Sequence, residues 1–359
     1  MAIVTRAAVA SGVGRPLVID EVDLRSPGPG EVLVEMKASG LCHTDLSIIE
    51  GKFPVPLPAI LGHEGAGIVL ECGDGVTLAK PGDHVILNNL LHCGECRPCR
   101  SGRTSFCEAQ LQPREPAFTW RGQSLRGGVS SFAAHTVVQE QQLSIIPTDM
   151  PFASASLVPC GVLTGTGAVW NDAQVDPGSS VIVFGLGSIG LNVIQAARLA
   201  GAARIIAADT NPAKEGPARQ FGATDFVNPA GPVLLEEQVE RLLGGKLDYA
   251  FECVGNPALL ARATAMVSPY HGVCMAVGIA GHDQTITLPA STFYFGRTVR
   301  GTFIGDGNPR EQTPKIVEHY CAGDLKIDEL VTHRLPFEQI NEGFELMRAG
   351  EAIRTVILF

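Results

Sequence analysis

Four cysteines stand in one short run, Cys93-Gly-Glu-Cys96-Arg-Pro-Cys99-Arg-Ser-Gly-Arg-Thr-Ser-Phe-Cys107. Three are spaced at i, i+3 and i+6, and the fourth follows eight residues later. Four thiolates can enclose one tetrahedral Zn2+ with no open position, which makes a structural site rather than a reactive one. A second donor set flanks the run: Cys42-His43-Thr44-Asp45 and Gly62-His63-Glu64-Gly65 before it, Pro159-Cys160-Gly161 after it. Two sulfurs and one imidazole make a three-ligand set with room for water or substrate. Two disulfides are the competing reading of the four-cysteine run. The chain opens without a long apolar core and cleavage site, and 359 residues supply ample core without covalent staples, so metal is the stronger expectation. Cys72, Cys253, Cys274 and Cys321 stand singly in apolar surroundings and read as small buried hydrophobes.

Gly185-Leu-Gly187-Ser188-Ile189-Gly190 is a GxGxxG placed directly after the apolar run Val181 to Phe184 and ahead of helical spacing. In that context the first glycine permits a tight turn, the second lets a pyrophosphate approach the backbone, and the third lets helix lie against strand. The pyrophosphate then meets unpaired N–H groups at a helix N-terminus. Asp209 follows Gly190 by 19 residues, at the end of the next apolar run. A carboxylate there accepts ribose hydroxyls and repels a 2′-phosphate, which favours NAD over NADP.

These residues need two kinds of scaffold. Residues 1 to about 155 read as short strands between turn signals: Glu31 to Lys37 alternates, Gly65 to Glu71 and Asp83 to Leu87 follow, and Pro81-Gly82 turns the chain. That pattern predicts a barrel-like β domain. From about residue 160, apolar strands at Ser180–Phe184, Ala203–Ala208, Tyr249–Val254 and Gly272–Gly278 alternate with helical spacing at Leu191–Ala200 and Pro257–Val267. That predicts a parallel sheet covered on both faces. Pro217 falls inside the next expected helix and should kink it or delay its start. A helix at Pro314–Cys321 and strands at Val331–Leu335 and Arg354–Phe359 read as a return to the first domain. The charge of −10, with 18% charged residues and no basic run, disfavours nucleic acid and anionic membranes as partners. No apolar stretch reaches the ~20 residues of a membrane span, and the default expectation is a soluble, cytoplasmic protein.

Taken in order, Gly40-Leu-Cys-His-Thr-Asp, Gly62-His-Glu-Gly-Ala-Gly, the four-cysteine lobe, Pro159-Cys-Gly-Val-Leu-Thr-Gly, the GxGxxG and Leu335-Pro-Phe-Glu-Gln-Ile-Asn-Glu-Gly-Phe resemble the zinc-dependent medium-chain alcohol dehydrogenases nearly end to end. The resemblance implies an α/β protein: a GroES-like β-barrel catalytic domain over 1–160 with a structural zinc lobe at 89–110, a Rossmann doubly wound parallel sheet over 161–303, and a catalytic return segment over 304–359. It implies two Zn2+ per chain, one on Cys42, His63 and Cys160 and one on Cys93, Cys96, Cys99 and Cys107, with hydride passing from an alcohol activated at the first to NAD. Asp45 then orients His63, Glu64 is the acidic residue near the zinc, and Thr44 takes the substrate proton. Relatives carry a relay histidine three positions after that threonine; here the position is Ser47. Cofactor contacts fall to His43, Thr164, the Gly185–Gly190 turn with Ser188 and Ile189, Asp209, Lys214, Val277, Ile279 and Arg354. Glu64 and Lys214 carry a bland alternative as well, a buried salt-bridge partner and a solvated lysine. His92 reads as structural, and His84, His135, His271, His282, His319 and His333 lack ligand spacing.

The implied partner is a small alcohol or aldehyde, and the implied assembly a homodimer or homotetramer. Asn89 occupies a position four residues before Cys93 where relatives place an aromatic pocket residue, and Ile279 and Phe303 match two other lining positions. A smaller polar side chain at 89 predicts room for alcohols bulkier than ethanol, including aromatic ones. Polyol dehydrogenases are disfavoured because they replace the third zinc ligand with glutamate, whereas Cys160 is present. A thiol-adduct-oxidising formaldehyde dehydrogenase matches at His43-Thr44, but the lobe after Cys107 is shorter than that subgroup's. A catalytically silent zinc- and nucleotide-binding protein is the rival of another class. Asp209 generates the first test: the wild type prefers NAD, and Asp209→Gly moves the kcat/KM ratio toward NADP. Equal wild-type efficiency with the two cofactors contradicts this.

Overall fold

The computed structural model describes residues 2–112, 114–281 and 283–359; Met1, Pro113 and His282 lie outside the described residues. The chain divides into two compact units, Met1–Cys160 with Gly307–Phe359, and Gly161–Asp306.

The first unit is built on the strand Glu31–Gly40. Its alternation buries Val32, Val34 and Met36 on one face, against Val69, Val85, Leu87 and Val138, while Leu33 packs into a second core with Val9, Ile60, Phe132 and Phe344. One sheet runs in the order Leu143–Ile145, His84–Leu87, Gly65–Cys72, Glu31–Gly40, Arg354–Leu358, Val331–Pro336, with His135–Gln139 also paired to Glu31–Gly40. A five-stranded sheet holds Ala59–Ile60, Ile3–Ala10, Val18–Leu24, Phe118–Trp120 and Gln123–Leu125. Val356 pairs with Gly40 and Leu358 with Ala38, so the C-terminal strand is part of the first unit's central sheet.

The second unit is a six-stranded, all-parallel sheet ordered Asp225–Val227, Arg204–Ala208, Ser180–Phe184, Tyr249–Glu252, Val273–Ala276, Thr298–Gly301. This is the doubly wound order in which the chain reverses direction beside the first strand. Val181, Ile182 and Val183 are all fully buried, which is why this strand shows no alternation. The helix Ser188–Leu199 opens on the GxGxxG. Gly185 has φ +84°, and a Cβ on Gly190 would lie 2.0 Å from the Gly185 carbonyl oxygen, whereas one on Gly187 would meet nothing within 4 Å. The first glycine makes the turn, the third permits the close approach, and the second leaves open space beside the backbone.

Pro217 delays its helix, one of the two outcomes expected of it: a 3-10 turn at Pro212–Lys214 leads into Glu215–Phe221, placing the proline in the first turn, where a missing N–H costs nothing. Other local expectations are corrected. The helix expected from Pro314 begins at Pro309, because Asn308 caps it by accepting the Arg310 N–H at 3.1 Å; Pro314 lies inside it. The run Phe152–Ala173 is, by length and composition, apolar enough to cross a membrane, contrary to expectation, but most of it is buried inside the protein as core. Of the four single cysteines only Cys274 is fully buried; Cys72 and Cys253 are partly exposed and Cys321 is exposed.

Candidate metal centre and dinucleotide turn

Two neighbouring strands deliver the first cluster. Cys42 follows the end of Glu31–Gly40 and caps the helix His43–Ile49. His63 and Glu64 immediately precede Gly65–Cys72, and Ser39 pairs with Gly65, so the two motifs meet at one end of the sheet. Arg354 starts the strand that pairs with Gly40 and arrives at the same end. Cys160 sits in a π-helical turn, Val158–Val162, a local widening often found at functional sites. Gly40 is required by crowding: a Cβ there would lie 2.2 Å from Glu64 Oε2.

One ligand atom each from Cys42, His63, Glu64 and Cys160 lies within 4.8 Å of the others. The two sulfurs are 4.0 Å apart, close to the roughly 3.8 Å set by two Zn–S bonds of about 2.3 Å at a tetrahedral angle. His63 Nδ1 lies 3.3 Å from Asp45 Oδ2, and Asp45 Oδ1 accepts the Gly62 N–H at 3.1 Å. The carboxylate thus engages one ring nitrogen and leaves Nε2 for a metal. Glu64 is completely buried and pairs through Oε2 with Arg354, while its Oε1 has no hydrogen-bond partner among the described residues. Removing one partner of a buried pair of this kind costs about 3–5 kcal/mol. A hydrogen bond from Cys160, then His63 and Arg354, hold the Cys42 thiol well below its ordinary range; the same contact with Cys42, and burial, push Cys160 well above. Burial opposes charge on His63, but Asp45 and Cys42 outweigh it and raise its pKa. Soft thiolates, an oriented imidazole and an unsatisfied buried carboxylate oxygen fit a divalent zinc.

The four-cysteine lobe forms a second group. Cys93 and Cys99 sulfurs are 3.9 Å apart, far beyond the roughly 2.05 Å of a disulfide. Backbone N–H groups of Cys96 and Cys93 point at Cys93 Sγ and Cys107 Sγ, both at 3.4 Å. Backbone N–H groups of Cys96 and Glu95 lower the Cys93 thiol to about 6, whereas burial raises Cys99 to about 12. Only a cation makes thiolates of all four together. His92 is partly buried, outside this donor group.

The remaining sequence-derived residues distribute as follows. Thr44 and Ser47 lie one helical turn apart and are both half-buried, while His43 is exposed. Asn89 is half-buried against Gly128, whose Cβ would come within 3.0 Å of the amide oxygen. In the second unit Asp209 Oδ2 accepts the Leu186 N–H at 2.9 Å, tying the ribose-binding candidate to the glycine turn, and Lys214 Nζ lies 3.5 Å from it. Ser188, Thr164 and Val277 are buried, and Ile189 is half-buried. Ile279 and Phe303 are 72% and 45% exposed, so neither packs into a closed lining within its unit. Arg354, expected against cofactor phosphate, is buried against Glu64; the guanidinium serves the metal cluster because its strand ends there.

Sequence reading missed Glu252. It ends a buried strand, is 1% exposed, and its carboxylate accepts N–H groups of Val254 and Gly255 at 2.9 and 3.0 Å. Burial raises its pKa. A lone acid closing the apolar run Tyr249-Ala-Phe-Glu252 was the available signal.

A family model described as "Alcohol dehydrogenase GroES-like domain" matches residues 28–148, and one described as "Zinc-binding dehydrogenase" matches 188–320. The chain belongs to the zinc-dependent medium-chain alcohol dehydrogenases. This dehydrogenase is 42% identical to the S-(hydroxymethyl)glutathione dehydrogenase of Escherichia coli O157:H7, over 99% of this chain and 100% of that one. Among solved structures, an alcohol dehydrogenase zinc-binding domain protein from Burkholderia ambifaria superposes with TM-score 0.93 at 33% identity, covering 100% of both chains. Benzyl alcohol dehydrogenase from Acinetobacter calcoaceticus follows with TM-score 0.92 at 30% identity, covering 99% of each. The family assignment makes the chain an oxidoreductase that uses zinc and a nicotinamide dinucleotide.

Metal analysis of the purified enzyme is expected to give two zinc ions per chain. Cys93→Ser lowers thermal stability while leaving the ranking of alcohols unchanged, because a structural zinc contributes folding free energy directly. One zinc per chain, lost by chelation together with activity but not with fold, contradicts the two-site assignment.

Proposed function

We propose that this enzyme oxidises primary alcohols bulkier than ethanol, aromatic ones included, with NAD as hydride acceptor. The observation that carries the chemistry is the Cys42–His63–Cys160 cluster with Asp45 behind the imidazole. Bound there, zinc supplies Lewis acidity that lowers the pKa of a substrate hydroxyl. Cys42, His63 and Cys160 hold it, and Asp45 fixes the ligating tautomer. Thr44 accepts the proton at its hydroxyl and passes it along the helix face to Ser47, half-buried one turn on. Glu64, anchored by Arg354, keeps a carboxylate oxygen beside the ligands for ligand exchange.

On the cofactor side, Gly185–Gly190 with Ser188 and Ile189 seat the pyrophosphate at the helix N-terminus. Asp209 and Lys214 hold the adenosine ribose; His43, Thr164, Val277 and Ile279 supply further contacts, while Arg354 stays with Glu64. The Asp209 carboxylate, fixed on the Leu186 N–H, supports NAD over NADP. Residues 1–160 with 307–359 act as the catalytic domain and 161–306 as the NAD-binding domain, the second boundary falling three residues later than the resemblance implied. The benzyl alcohol dehydrogenase neighbour and the small Asn89 support the substrate class, with Ile279 and Phe303 as further lining residues. The enzyme works as a cytoplasmic homodimer or homotetramer. A thiol-adduct substrate is the second reading, favoured by the 42% identity to S-(hydroxymethyl)glutathione dehydrogenase.

NADH formation over ethanol, hexanol, benzyl alcohol and S-(hydroxymethyl)glutathione tests the reading. Benzyl alcohol or hexanol is expected to exceed ethanol in kcat/KM, and Thr44→Val to lower turnover by ~100-fold while Thr44→Ser keeps most of it. A dominant rate on the glutathione adduct selects the second reading. Asn89→Phe is expected to move the ranking toward ethanol; an unchanged ranking shows that Asn89 does not shape the pocket.

A further inference from the structure

The loop that leaves the last strand of the parallel sheet is held in an unusual conformation. Ile304, Gly305 and Asp306 have φ of +52°, +74° and +40° in succession. A glycine adopts this region freely, but a β-branched isoleucine and an aspartate do so only where their surroundings enforce it. Such over-determined segments concentrate at ligand clamps and active sites.

The enforcing contacts converge on Asp172. Its side chain is 1% exposed, and Oδ1 meets Arg300 Nη2 at 2.6 Å. Its Oδ2 accepts the Thr302 hydroxyl at 2.5 Å. The same hydroxyl accepts the Gly305 N–H at 3.1 Å, so one bridge runs from a buried carboxylate to the middle of the strained loop. Arg300 Nη2 also reaches Asp306 Oδ2 at 3.1 Å, gripping the far end of the loop. Asn171, the neighbour of Asp172, donates to the Gly305 carbonyl at 2.7 Å. Asp172 itself lies in a π-helical turn, Ala168–Ala173. A buried carboxylate is expensive without a cation and hydrogen bonds; here the cation is Arg300, on the last strand, and a hydrogen bond comes from Thr302, where the loop begins.

The loop's place gives this arrangement a use. Gly301 pairs with Ala276, and the Thr302 N–H donates to the Ala276 carbonyl at 3.3 Å, so the loop begins beside Val277 at the carboxyl end of the sheet. Sheets of this topology bind their ligands outside the carboxyl ends of the strands. The glycine turn lies on the strand at the reversal point, and the loop lies on the far side of it from Asp209. A dinucleotide with its adenosine ribose at Asp209 extends its other half toward this loop.

We propose that Asp172 is a positioning residue for hydride transfer, acting through Thr302 and Arg300 to fix the loop 302–306 where it meets the nicotinamide half of the cofactor. The role rests on the NAD-dependent reading above. It predicts that loosening the clamp impairs turnover of a bound alcohol more than it impairs folding or metal content.

The test uses the zinc-loaded enzyme with NAD and its best alcohol. Thr302→Val, which deletes the bridging hydroxyl, is expected to lower kcat/KM by about tenfold or more, the size of effect produced by small misplacements of reacting groups. Thr302→Ser restores the bridge and stays near the wild type. Asp172→Asn loses the ion pair and falls in the same direction, and the double variant Asp172→Asn with Thr302→Val is little worse than the weaker single one, because both cut one connection. Zinc content stays at the wild-type level throughout. A Thr302→Val enzyme with wild-type kcat/KM, or one that Thr302→Ser matches in impairment, overturns the proposal while the enzyme assignment stands. A loss confined to melting temperature does the same. A wild type that forms no NADH from any alcohol overturns the NAD-dependent reading, and this role with it.

Discussion

Two thiols, an imidazole and a carboxylate are packed within 4.8 Å of one another, with a single guanidinium behind them. Such a cluster is unstable as a set of unpaired charges, and it becomes favourable only around a divalent cation. Much of the first unit follows from building it. Cys42 and His63–Glu64 come from adjacent strand ends, so those strands must pair in the register that sets Ser39 against Gly65. Arg354 must reach the same end, so the C-terminal strand must return to the sheet that the N-terminal segment began. The second unit is therefore an insertion, since the chain has to come back to complete a charge cluster started some three hundred residues earlier.

The two metal groups share cysteine chemistry but differ in surroundings. The lobe offers four sulfurs and no open position, with backbone N–H groups aimed at two of them, and its Cys93 is exposed. The other group mixes sulfur, nitrogen and oxygen donors, has Cys42 and Glu64 buried with His63 and Cys160 partly open, and has a carboxylate fixing its imidazole. The first arrangement suits an ion that ties a loop together; the second suits one with a ligand position left for chemistry. In the parallel-sheet unit a similar logic recurs without metal. Acids at strand ends take up loop N–H groups: Asp209 holds the Leu186 N–H of the glycine turn, and Glu252 holds those of Val254 and Gly255 in the loop after its own strand. Asp172, in a π-helical turn, acts on the loop after the last strand through a hydroxyl instead: it accepts from Thr302, whose oxygen takes the Gly305 N–H.

The parts legible in sequence were those with a short-range signature. The four-cysteine spacing, the GxGxxG after an apolar strand, and the apolar runs of the parallel sheet each announce themselves within a dozen residues. The helix at Pro309–Cys321 starts before the expected Pro314, on an Asn-Pro cap that is equally local. What sequence could not show depends on partners far away in the chain. Arg354 pairs with Glu64, nearly three hundred positions earlier, rather than standing free for a phosphate. The Asp172–Arg300 pair and the left-handed run at Ile304–Asp306 have no periodicity to reveal them. The exposure of Ile279 and Phe303, 72% and 45%, was likewise not legible, because it is a property of the assembled surface.

The central claim is that Cys42, His63 and Cys160 hold one zinc. Anomalous diffraction at the zinc edge, on crystals of the enzyme as purified, addresses it directly. A peak is expected bonded at about 2.3 Å to both sulfurs and about 2.0–2.1 Å to the His63 ring, separate from a second peak inside the four-cysteine lobe. A lobe peak alone, or a disulfide joining Cys42 to Cys160, would contradict it.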